Sequence, residues 1–301
     1  MSVAPAVLIM LAASAQFALQ APINARLATV TGKVPAALVS FLVGLAGLAI
    51  VVLLSGGAGG LGDIGDASAW QLTGGLIGAA FVLIALVTVP LVGAGGVAAA
   101  TITGQMIGSI VLDSQGWLGL DTEPVSPQRV AGALLLLGGT ALILRGRPAA
   151  GGAGHGTGRR LAGAAIVLAG FALAAQAPIN ARLGDHVGGL EAATVNFAVG
   201  SVVLAIAAVA TRSARGVPAA ARVPRRWLAG GLIGAVYVTA SVLLVRTIGA
   251  GGIAATTITG QLASSVALDR AGALGLDERP LIPARVAAVG ILIAGTCLIV
   301  A

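Results

Sequence analysis

Apolar positions dominate this chain in ten stretches, each long enough to cross a bilayer and each closed by a short polar interval. They cover residues 4–22, 36–54, 71–90, 95–112, 129–145, 161–179, 191–210, 227–245, 251–268 and 284–301. Apolar runs of about 20 residues read as transmembrane helices. The few polar side chains inside them recur at helical spacing. Gln16, Gln20 and Asn24 follow one another every four residues, as do Gln176 and Asn180. Thr101, Gln105 and Ser109 form a second stripe that ends at Asp113, and Thr257, Gln261 and Ser265 form a third that ends at Asp269. Residues four apart share one helical face, so the pattern predicts helices with one polar stripe each.

The stripes recur because the chain repeats itself at an offset of 156 residues. Gln20-Ala-Pro-Ile-Asn-Ala-Arg-Leu27 returns as Gln176-Ala-Pro-Ile-Asn-Ala-Arg-Leu183, and Gly74-Gly-Leu-Ile-Gly78 as Gly230-Gly-Leu-Ile-Gly234. Residues 94–105 and 250–261 agree at ten of twelve positions, and Asp113, Pro124, Pro127 and Arg129 match Asp269, Pro280, Pro283 and Arg285. The chain therefore divides into a first five-helix repeat at 1–147, a Gly-rich linker at 148–160 and a second repeat at 161–301.

Five crossings is an odd number, so the second repeat enters the membrane upside down. With ten crossings, fourteen of the 17 Lys and Arg fall on one side and only Arg129, Arg182 and Arg246 on the other. The positive-inside rule makes the rich side cytoplasmic and puts both termini outside it. Treating 129–145 and 284–301 as non-crossing also gives a lopsided count, but then the repeats are parallel. Two features favour ten. Val130–Leu144 has Thr140 as its one polar side chain, and so no polar face on which to lie at the surface. Residues 55–70 carry two Asp and no basic residue, while their counterparts 211–226 carry five Arg. Matching loops of opposite charge belong on opposite sides.

Composition narrows the class further. Mean hydropathy is +1.03 and charged residues are 9% of the chain, far below the roughly 25% of a soluble domain. The basic residues flank apolar runs, so the +7 net charge reads as topogenic and nucleic-acid binding is excluded. Cys297 is the only cysteine, and the two histidines, His155 and His186, lie outside the apolar runs. No carboxylate falls at mid-depth in any run. An intramembrane enzyme would need a base beside a nucleophile, so the expectation is no catalysis, no cofactor and no metal. Asp113, Asp269 and Glu191 lie at segment ends, where solvated or capping roles are the rule. Trp70, Trp117 and Trp227 occupy interfacial positions.

The remaining candidate chemistry is neutral. Amide side chains are unfavourable against lipid and must face the bundle or a wet cavity. Gln20, Asn24, Gln105, Gln176, Asn180 and Gln261 are thus candidate substrate-binding residues, with Asn196, which stands where the first repeat has Ser40. Helix-to-helix hydrogen bonding would use the same groups. Pro22 and Pro178, between the Gln and Asn of each repeat, either free a carbonyl for a ligand or end the helix. Arg26 and Arg182 read as snorkelling anchors or as attractors of an acidic solute.

At the Gln-Ala-Pro-Ile-Asn-Ala-Arg-Leu and Thr-Ile-Thr-Gly-Gln segments the chain resembles the YdcZ-type branch of the drug/metabolite transporter (DMT) superfamily. The usual member is one five-helix unit, and this chain looks like a tandem fusion of two. The resemblance implies an all-α integral membrane fold of ten transmembrane helices in two inverted five-helix repeats, a DMT/EamA-like bundle. It implies a multi-pass protein of the bacterial inner membrane that exports a small polar solute through a central cavity between the repeats. Relatives in the small multidrug resistance group carry a Glu in the first helix. Gln16 and Gln20 occupy that region here, so their cation exchange does not carry over. The expected partners are the lipid bilayer and a small-molecule substrate. A monomer suffices, since both repeats are fused, although the oligomeric state is open. A passive pore and a non-transporting membrane scaffold are the alternatives.

Overall fold

The computed structural model describes residues 2–144, 157–271 and 282–301, apart from the side chains of Ala94, Gly95 and Asp269. Most of the Gly-rich linker, with His155, lies outside the described residues. Among those described there is no β-strand. Eight helices carry the fold: α1 (Val3–Thr31), α2 (Lys33–Leu54), α3 (Thr73–Gln115), α4 (Pro127–Leu144), α5 (Thr157–Val187), α6 (Gly189–Ala210), α7 (Ala229–Ala271) and α8 (Pro283–Val300).

Two of these helices are each two crossings. At 43 residues apiece, α3 and α7 would run about 65 Å unbroken, twice the hydrocarbon thickness of about 30 Å. Each is divided by a glycine in a conformation that a side chain would strain: Gly93 (φ 75°, ψ 160°) in α3 and Gly249 (φ 68°, ψ 172°) in α7. Nine apolar stretches among the described residues have membrane-spanning length, and Arg225–Leu268, at 44 residues, contains the Gly249 break. Divided there, it gives ten crossings, five from each repeat.

The prolines do not mark the breaks. Both α1 and α5 continue through Pro22 and Pro178, to Thr31 and Val187. Proline removes one backbone hydrogen bond, and a transmembrane helix tolerates that loss where neighbours re-satisfy the freed carbonyl.

The chain packs as two compact units, and each unit draws on both repeats. The first unit comprises Met1–Ala18, Ile84–Ala175 and Leu244–Ala301. Its centre is α4 against α8, with Leu136 and Leu292 fully buried. The two helices meet at glycines because a side chain would not fit. A Cβ on Gly139 would stand 2.8 Å from Leu292, and one on Gly295 would stand 3.1 Å from Leu136. Gly132 faces Ile299 near the other end of α8, so α4 and α8 run antiparallel.

The second unit comprises Leu19–Leu83 and Gln176–Leu243, centred on α2 against α6. Gly44 packs against Phe197, and Gly200 against Phe41. Gly75 meets the α6 backbone at Gly200, and Gly231 meets the α2 backbone at Gly44. Beyond the helix ends, Gly60 touches the Val187 carbonyl and Gly216 touches the Thr31 carbonyl. Every contact has a mate displaced by 156 in both partners. Such reciprocity is the signature of a two-fold axis. The start of α2 meets the loop that follows α6, and Gly57, just past the end of α2, meets Glu191 at the start of α6. Equivalent helices are therefore antiparallel, which is the geometry of inverted repeats.

Candidate functional site

Five of the seven candidate residues lie in the second unit: Gln20, Asn24, Gln176, Asn180 and Asn196. In the second repeat three amides are knitted together. Asn196 Oδ1 accepts from Gln176 Nε2 at 3.1 Å and from Asn180 Nδ2 at 3.0 Å. Gln176 Nε2 also donates to the Gly74 carbonyl at 3.0 Å. Asn180 and Asn196 are buried at 1% and 2% exposure, while Gln176 is half-buried. Asn180 Oδ1 sits against Gly74, where any Cβ would collide with it, and makes no hydrogen bond of its own. The glycines of α3 thus let an amide face approach backbone closely. Interhelical bonds of this kind stabilise a bundle by roughly 0.6–2 kcal/mol each.

The first repeat holds Gln20 and Asn24 in the same pose, against Gly234 and Gly230 of α7. The third member differs, because Ser40 stands where the second repeat has Asn196. Ser40 is buried, and its Oγ and Asn24 Oδ1 have no hydrogen-bond partner among the described residues. Gln20 and Asn24 are half-buried. The sequence shows the substitution, but its effect on hydrogen bonding emerges only from the geometry.

The other two candidates, Gln105 and Gln261, lie in the first unit, each half-buried. The structure does not tie them to one another through a hydrogen bond among the described residues. Their stripes turn largely inward on their own helices. Ser109 donates to the Met106 carbonyl and Ser265 to the Leu262 carbonyl, while Thr101 Oγ1 is buried without a partner.

One feature of the first unit is absent from the candidate set. Asp113, 1% exposed at the end of the stripe in α3, reaches across to the break in α7. Its Oδ1 accepts from the Ala250 N–H and its Oδ2 from the Gly251 N–H, both at 2.8 Å. These are the first donors after Gly249, and a helix start leaves such N–H groups unsatisfied within the helix. Arg129 Nη2 lies 3.6 Å from the same carboxylate and 3.8 Å from Glu123. The carboxylate caps a helix 137 residues further along the chain. Its position at a segment end signals a cap, but nothing in the sequence names the partner. Asp269 and Arg285 hold the matching sequence positions, and the Asp269 side chain lies outside the described residues.

Among the described residues the other buried carboxylate is Glu191, in the first turn of α6 beside Gly188, where the positive end of the helix favours it. Among the described residues no three His, Cys, Asp or Glu side chains group as metal ligands.

A family model described as "Putative inner membrane exporter, YdcZ" matches residues 5–142 and again residues 161–298. The chain belongs to the YdcZ family. The two matches start 156 residues apart, the offset of the repeat, so this YdcZ protein carries two tandem copies of the family unit. It is a multi-pass membrane protein of a transporter family. The fold matches a solved crystal structure of a protein with a TM-score of 0.71 at 16% identity, over 98% of this chain and 96% of that one. No curated protein matches the chain by sequence.

Proposed function

We propose that this YdcZ protein exports a small polar solute across the bacterial inner membrane by alternating access, along a path between the two repeats. The observation that carries this reading is the pair of amide faces, Gln20–Asn24 and Gln176–Asn180, held in matching poses about a two-fold axis. Carriers built from inverted repeats bind their solute near such an axis and alternate by rocking one part against another. Gln20, Asn24, Gln176, Asn180 and Asn196 would offer hydrogen bonds to the solute within the second unit. Gln105 and Gln261 would line its path in the first. The charge asymmetry between matching loops supports cytoplasmic placement of Ala214–Arg222 and extracytoplasmic termini. The sequence division at 147 and 161 remains the proposed boundary between repeats.

The test is solute flux in proteoliposomes, with Gln105→Leu/Gln261→Leu beside the wild type. Abolished flux in a folded double variant is the expected outcome, and unchanged flux removes both glutamines from the path. Rates far above carrier turnover would instead identify a pore. A second reading is a non-transporting scaffold, favoured by the way Gln176 and Asn180 spend their donors on Asn196 and Gly74. Folded protein without flux for any solute, co-purifying with membrane partners, would establish it.

A further inference from the structure

The two amide faces differ at one position, and the difference has the outline of a ligand. In the second repeat the Asn196 carboxamide oxygen lies between two amide donors and accepts from both. In the first repeat the corresponding donors are held alike. Gln20 Nε2 stands 2.6 Å from the Cβ position of Gly234, as Gln176 Nε2 stands 2.7 Å from that of Gly78. Asn24 Oδ1 and Asn180 Oδ1 press on the equivalent glycines, Gly230 and Gly74. Ser40, however, ends one atom past Cβ, so the oxygen and nitrogen of the asparagine carboxamide have no counterpart here.

The polar groups around that gap are unsatisfied. Ser40 is 2% exposed, and Ser40 Oγ and Asn24 Oδ1 are both buried without a hydrogen bond. A buried hydroxyl left without a partner is costly, so a ligand that completes it stabilises the arrangement. Gln20 and Asn24 are half-buried, neither of them fully enclosed.

We infer that Gln20, Asn24 and Ser40 form a binding site for a small uncharged solute bearing a primary carboxamide. The solute's carbonyl oxygen takes the place that Asn196 Oδ1 holds in the other repeat, accepting from Gln20 Nε2 and Asn24 Nδ2. Its amide N–H group supplies the donor that Ser40 Oγ lacks. A carboxylate brings a full charge to a face of neutral amides and a hydroxyl, where burial without a counter-charge is costly. An alkylammonium brings no acceptor and leaves both side-chain amides unmatched. The second repeat is the filled form of the same site, closed by a side chain in place of a solute. As the identity of the transported solute, this rests on the carrier reading above; as a binding site, it stands without it.

The test is thermal unfolding of the purified full-length protein with acetamide or propionamide, against acetate, propionate and ethylammonium at equal concentration. Ligand bound to the folded state alone raises the apparent Tm by mass action. The expected result is a rise specific to the carboxamides, lost in Ser40→Asn, whose unliganded Tm equals or exceeds that of the wild type. No carboxamide-specific rise in the wild type, or an equal rise in Ser40→Asn, overturns the site. Should Ser40→Asn fail to fold, Gln20→Leu takes its place, and an undiminished rise there overturns it equally. Proteoliposome flux separates the two proposals. Carboxamide binding without flux keeps the site and sinks the carrier, whereas flux of other solutes without carboxamide binding does the reverse.

Discussion

Phe41 and Phe197 occupy the same position in the two repeats, and their rings meet with centroids 5.2 Å apart at an interplanar angle of 38°. A residue that touches its own counterpart marks the two-fold axis, so this ring pair sits where the repeats turn into one another. Aromatic pairs contribute about 0.5–1.5 kcal/mol beyond burial. A double-mutant cycle with Phe41→Leu and Phe197→Leu should return a coupling of about 1 kcal/mol. Equilibrium unfolding in mixed detergent measures it, and strict additivity would show that the rings merely coexist.

The Asp113 clasp predicts a charge-dependent loss of stability. Asp113→Ala leaves the Ala250 and Gly251 N–H groups and the Arg129 guanidinium short of a partner. Removing one member of a buried charged network costs about 3–5 kcal/mol. Asp113→Asn keeps one acceptor oxygen and should lose less. The same unfolding assay ranks them, and equal losses would mean that the charge is immaterial.

Gly249→Ala should destabilise through the backbone itself. The residue sits at φ 68°, and a new Cβ would stand 3.1 Å from Asp113 Oδ2. Left-handed backbone with a side chain costs about 1–2 kcal/mol, and crowding of the carboxylate adds to it. Gly290→Ala, in open space within α8, is the control that should stay within about 0.5 kcal/mol.

At the position where the repeats differ, the two substitutions should be unequal. Asn196→Ala removes the acceptor for Gln176 and Asn180 and should cost about 1–2 kcal/mol. Ser40→Ala removes an unpaired buried hydroxyl and should leave stability unchanged or raise it by up to about 1–3 kcal/mol. Equal effects in the unfolding assay would show that Ser40 is bonded in the folded protein after all.

Much of this architecture is legible before any coordinates. The repeat offset makes α2 the counterpart of α6 and α4 that of α8, and the odd crossing number gives them opposite orientations, but that counterparts pack on each other shows only in the structure. Hydropathy separates the crossings at 71–90 and 95–112 and at 227–245 and 251–268, but the glycine that breaks each helix shows only in the backbone conformation. Helix ends are less legible, because hydropathy follows the hydrocarbon layer and not the backbone. The first apolar run stops at Pro22, whereas α1 remains helical through Arg26 to Thr31. Side-chain partners across the chain are least legible. Asn196 is visible as a candidate, but not that it captures both neighbouring amides. Asp113 is visible at a segment end, but its partners lie 137 and 138 residues away. Register within a helix is local information, whereas those contacts depend on how the two repeats dock.

The loops that touch Val187 and Thr31 are two-fold mates, yet Gly57–Asp66 carries Asp63 and Asp66 while Ala214–Arg222 carries Arg215 and Arg222. A homodimer encoded by a single short gene would have to put the same sequence in both places. A single chain with two copies is free of that constraint, and its matching loops carry opposite charge. Two copies of one half would place the same loop charge at both positions, and the fused chain avoids that.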